Sequence, residues 1–205
     1  MAMLELVIFV ATIALVMIVI RKLPLEKEVV RKLSHEARQM DKADEKEEND
    51  KNDKDEDHLA KADRLAQAGE YKKAERIYLK LITKDPQESS LYNKLALVYL
   101  GEKNYKDAAN AIDQALQLEP DNDTFYNNQG LLFYQQGNYD EAVESYEKSI
   151  DINNKVASRF MNLGLTYFMC KKYRKSADAY EKALILEPHN DEYRQLLEEA
   201  ETKLK

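Results

Sequence analysis

The chain has 205 residues, with 31 Lys and Arg against 38 Asp and Glu, five Gly, four Pro and no Trp. A formal charge of −7 argues against a general nucleic-acid binder, and a single cysteine excludes an internal disulfide. Charged residues at 34% with so little Gly and Pro describe a helical chain with large solvated faces.

Residues 2–20, AMLELVIFVATIALVMIVI, carry one charge, Glu5, close to one end. As a helix rising about 1.5 Å per residue they reach about 28 Å, near the thickness of a bilayer's hydrocarbon core. A cleaved signal peptide needs a basic start and a shorter apolar core, so a transmembrane helix is expected. Arg21, Lys22, Lys27, Arg31 and Lys32 follow the span and nothing basic precedes it. The positive-inside rule therefore predicts a single-pass membrane protein whose C-terminal part faces the cytoplasm.

Over 21–40, Leu25, Val29, Leu33, Ala37 and Met40 recur at helical spacing, predicting a juxtamembrane amphipathic helix. Its stripe can lie on anionic lipid, pair with a second copy or fold back on the rest of the chain. Residues 41–54 read as a charged linker that cannot bury a core, within a stretch (41–57) of net charge −6. Asp53, Asp55 and Asp57 have the spacing that opens a calcium loop. His58 and Arg64 stand where that loop requires Gly and Glu, so no metal site is expected.

Tyr71, Tyr105, Tyr139 and Tyr173 then stand 34 residues apart, and the chain divides without gaps into 55–88, 89–122, 123–156 and 157–190. Each unit holds two stripes of helical period. The eighth residue is small (Ala62, Ala96, Gly130, Gly164) and so is the twentieth (Ala74, Ala108, Ala142, Ser176). The eleventh is large (Leu65, Tyr99, Phe133, Tyr167), as is the twenty-fourth (Tyr78, Ile112, Tyr146, Tyr180). Small residues let two antiparallel helices approach, and large ones fill the grooves between them. Pro86, Pro120 and Pro188, with Asn154 in the third unit, end the second helices, and residues such as Asn122 and Asn190 cap the next. Cys170 lies in an apolar run and is expected to be a buried small hydrophobe.

This pattern over 55–190 resembles the tetratricopeptide repeat family, with the small residue at eight, Tyr at seventeen, Ala at twenty and Pro at thirty-two. The family's Trp at four is replaced by His58, Tyr92, Tyr126 and Phe160. The resemblance implies an all-α solenoid of four helix-turn-helix units, right-handed, with 191–205 as a capping helix and the first helices lining a concave groove. It implies a peptide-binding groove presenting Asn93, Lys94, Leu97, Asn127, Asn128, Leu131, Tyr134, Asn162, Leu165 and Phe168, together with Leu100, Met161 and Met169. Asparagine amides there can offer a donor and an acceptor to a peptide backbone, and the leucines can take apolar side chains. Relatives that grip a chaperone's C-terminal carboxylate need Lys or Asn where Leu59, Leu97 and Ser158 stand, so a neutral groove that suits an extended or helical peptide with apolar anchors is expected.

The three His residues (35, 58, 189) are too scattered to form a ligand cluster, and no phosphate-cradling loop or nucleophile elbow occurs. No enzyme, cofactor or metal is expected. The expected function is a membrane-tethered adaptor that binds a protein or peptide partner while a membrane-associated complex is assembled. The alternatives are a structural scaffold that self-assembles into a homo-oligomer, and an import or chaperone receptor.

Overall fold

The computed structural model describes residues 55–205. The expected membrane helix (2–20), juxtamembrane helix (21–40) and linker (41–54) lie outside the described residues. Among the described residues no helix is long and apolar enough to cross a membrane.

Nine α-helices and no strand occur among the described residues. They are α1 (Asp55–Gln67), α2 (Tyr71–Lys84), α3 (Ser89–Gly101), α4 (Tyr105–Leu118), α5 (Asp123–Gln136), α6 (Tyr139–Ile152), α7 (Ala157–Met169), α8 (Tyr173–Leu186) and α9 (Asp191–Thr202). Each first helix starts at the first residue of a 34-residue unit and each second helix at the seventeenth. Every helix packs on its neighbours in sequence, and successive first helices also touch, as α3 does α5 and α5 does α7. All these contacts are between near neighbours, which is how a solenoid buries a core.

The helix ends follow from local chemistry. The residue before each proline is driven out of the helical region. Accordingly Asp85, Glu119 and Glu187 sit at φ −128, −134 and −130 and close α2, α4 and α8. Asn153 adopts φ −147 and ends α6 without a proline. Asn122 caps α5 by accepting from the Thr124 N–H at 3.0 Å, and Asn190 caps α9 through Tyr193 at 3.2 Å. Val156, before α7, has no polar side chain to cap with. In its first turn the buried Arg159 guanidinium instead donates to the Asn153 carbonyl at 3.1 Å and pairs with Asp123, stapling the third unit to the fourth.

The small and large positions meet as their spacing requires. Ala62, Ala74, Ala96, Ala108, Ala142 and Ser176 are sealed from solvent, as are Tyr78, Ile112, Tyr146 and Tyr180. Gly130 and Gly164 allow close approaches within their units: a Cβ at either would meet the ring of Tyr146 or Tyr180 at 2.7 and 2.6 Å. Tyr193 and Ala200 seat α9 on the last unit. Beyond α9, Leu204 is exposed. One expectation needs correction. Cys170 is only partly buried, because α7 stops at Met169 and Cys170 forms its C-cap.

Candidate functional site

The first-helix face contains the residues expected to contact a ligand, and it sorts them into two kinds. One kind is polar and already engaged. Asn128 Nδ2 donates to Asn93 Oδ1 at 2.7 Å, across α5 to α3. Asn162 Nδ2 donates to Asn127 Oδ1 at 3.2 Å, across α7 to α5. A weaker contact of 3.4 Å from Asn127 Nδ2 to Asn128 Oδ1 joins the two. Four asparagines thus form a ladder over three successive units. Asn93 and Asn128 are 8% and 6% exposed, so the inner rungs are structural. The amides expected to read a peptide backbone bond one another across the repeats.

Lys94 is engaged as well. Its Nζ lies 2.8 Å from both carboxylate oxygens of Asp63, linking the second unit to the first. Asp63 also accepts from the Tyr78 hydroxyl at 2.5 Å. Burial, and after it this hydrogen bond to a carboxylate, push the Tyr78 phenol well above its ordinary range, so it remains a donor. Asp63 was not among the expected site residues. Its signal is in the ninth column, where a carboxylate precedes Leu97, Leu131 and Leu165.

The second kind is apolar and accessible. Leu97 is 41% exposed, and Leu131 and Leu165 are partly exposed in the same column. Tyr134 and Phe168, also partly exposed, are braced by the repeat tyrosines. The rings of Tyr134 and Tyr139 lie 5.5 Å apart, and those of Phe168 and Tyr173 lie 5.2 Å apart, edge on. Tyr139 and Tyr173 therefore pack the unit and also brace the aromatic on its first-helix face. Met169 is 43% exposed at the end of α7, Met161 is partly exposed, and Leu100 is buried in the core instead of facing the groove.

Comparison with known proteins identifies the repeat. Family models described as Tetratricopeptide repeat match residues 59–111, 93–157 and 157–190. No curated protein sequence matches the chain significantly. Several solved structures share the fold. PilF from Pseudomonas aeruginosa is 23% identical with a TM-score of 0.67, over 73% of this chain and 68% of that one. MamA from Desulfovibrio magneticus RS-1 is 20% identical with a TM-score of 0.64, over 74% and 86%. The Sgt2 repeat domain from Aspergillus fumigatus is 25% identical with a TM-score of 0.54, over 57% and 79%. With its repeat matches spanning 59–190 and two helices in every unit, the chain belongs to the tetratricopeptide repeat family.

Proposed function

We propose that the chain is a membrane-tethered scaffold that holds a protein or peptide partner on its first-helix face for assembly of a membrane-associated complex. The observation that carries this reading is the accessible apolar column of Leu97, Leu131 and Leu165, beside braced aromatic rings and repeated from unit to unit. The tether rests on the sequence of residues 2–20 and the basic flank behind it, which orient the repeats toward the cytoplasm. Anchoring raises local concentration, so a groove of modest affinity suffices.

A receptor for acidic chaperone tails fits less well. One fold neighbour, the first repeat domain of Spaghetti (RPAP3), holds the HSP90 peptide SRMEEVD. In this chain the corresponding face offers Lys94, whose charge Asp63 already neutralises.

The test is capture of partners from native membranes with the full chain, comparing wild type with Leu131→Glu. The variant should lose the specific partner, and unchanged recovery would count against the groove. Protease access to a C-terminal tag in sealed vesicles tests the orientation, and a tag cut from the non-cytoplasmic side overturns it.

A further inference from the structure

We infer that the groove takes an amphipathic helix presenting an uncharged apolar face, in preference to an extended strand or an acidic peptide terminus. This rests on the groove reading above and specifies its ligand. An extended peptide must place its main-chain N–H and C=O groups on partners along its length. Here the amide carbonyls of Asn93, Asn127 and Asn128 already accept from neighbouring asparagines, and Asn93 and Asn128 are too buried to reach. A strand would find only the remaining amide capacity of Asn127 and Asn162, on two of the four units, too few partners along its length.

A carboxylate fares no better. Across the fifth, sixth, ninth and twelfth columns of the four units, Lys94 is the only cation in the sequence. Both oxygens of Asp63 occupy its ammonium, and the Tyr78 hydroxyl holds Asp63 in place. An incoming acid would lose the competition with a partner already positioned, and would meet the Asp63 charge as well.

What remains accessible is a neutral apolar surface: one leucine per unit along Leu97, Leu131 and Leu165, flanked by Tyr134, Phe168 and Met169. A helix satisfies its own backbone and needs only side-chain contacts, delivered at i, i+3, i+4 and i+7. The complement in charge and hydrogen bonding is therefore a helical, uncharged, apolar stripe.

The test uses the full chain in nanodiscs and three labelled peptides of about 18 residues, long enough for a helix to form. One carries Leu at helical spacing among Ala, Gln and Ser with both ends blocked. The second has the same composition with Leu at every other position. The third is acidic and ends in a free carboxylate. The first should bind about tenfold tighter than either other peptide, and should gain helical circular dichroism on binding. Leu97→Glu and Leu131→Glu should each weaken it by about tenfold, which also separates groove binding from adsorption to lipid. Asn162→Ala should leave affinity within about threefold, where a backbone-reading groove would lose far more. Tighter binding of the second or third peptide, abolished by Leu131→Glu, overturns the helical ligand while keeping the groove. Binding of the first that neither Glu variant weakens overturns the groove itself. Self-association of the full chain that Leu131→Glu abolishes and no peptide displaces assigns the face to a second copy, and also overturns the inference.

Discussion

Gly130→Ala tests the packing logic of the repeat most sharply, because two effects of known sign oppose each other there. Glycine in the middle of α5 costs helix stability, and alanine should recover about 1 kcal/mol. A Cβ at Gly130, however, falls 2.7 Å from Cδ1 and Cε1 of Tyr146 and 2.9 Å from its Cγ. Relaxed carbon contacts lie at about 3.5–4.0 Å, so the ring must retreat by about 1 Å. Tyr146 is 2% exposed and packs among Ala142, Val143, Leu163 and Tyr167, so its retreat must displace these neighbours. Overpacking of this kind costs about 1–3 kcal/mol. The expected net is a loss of about 1 kcal/mol, or roughly 2–4 °C in Tm for a repeat domain of about 150 residues. The second unit uses Ala96 with Ile112 at the same two places, both buried. In a Tyr146→Ile background, Gly130→Ala should therefore become stabilising by about 0.5–1 kcal/mol, the helix term alone. Urea unfolding of the four proteins of this cycle measures the coupling. A stabilising Gly130→Ala in the wild-type background, or the same sign in both, would refute the reasoning.

Three further outcomes are expected. Asn128→Ala removes the 2.7 Å donor to the buried Asn93 carbonyl and should cost about 1–3 kcal/mol by urea titration, whereas Asn162→Ala, at the solvated end of the ladder, should cost less than about 1. At Asp123, burial raises the carboxyl pKa, but the Asn153 hydrogen bond and then the Arg159 charge outweigh it and hold the group below its usual range. A folded-state value below the unfolded one gives stability that is present above about pH 4 and fades on acidification. The stability advantage of wild type over Asp123→Asn should accordingly shrink as pH falls from about 5 toward 2; a constant gap rules the linkage out. Burial first, then local partners, push the phenols of Tyr78, Tyr146 and Tyr167 well up, and burial, against an opposing hydrogen bond with Ser176, raises Tyr180 to about 12. Raised folded values mean stability that is whole below about pH 10 and lost as pH rises through that range. Phenolate absorbance and helical circular dichroism should change together there, and titration of all 13 tyrosines near pH 10 with the helices intact would contradict it.

The groove shows how far position alone carries a site. Its columns could be read from the 34-residue period, because every unit repeats the same pair of helical stripes. Leu97, Leu131 and Leu165 stand on one accessible face for that reason. The state of the polar groups could not be read this way. Whether Asn128 meets Asn93 or a ligand depends on how closely α3 and α5 approach, a distance set by the packing of whole side chains between helices. Asp63 illustrates the same limit: it lies in the leucine column of the unit least like the others, and its effect on Lys94 exists only once α1 and α3 are side by side. Leu100 erred in the other direction, assigned to the groove by register and drawn into the core by its neighbours.

By itself the sequence determined the repeat length, the helix starts and ends, the small and large contacts, and the apolar character of the first-helix face. These follow from periodicity, proline and glycine chemistry and side-chain volume, all of which act within a few residues or one 34-residue step. The tertiary structure decided which polar groups on that face are already bonded to one another: four asparagines, Lys94 and Asp63. The physical reason is that a hydrogen bond depends on a few tenths of an ångström between helices about 34 residues apart in the chain, while a hydrophobic stripe depends only on order along it.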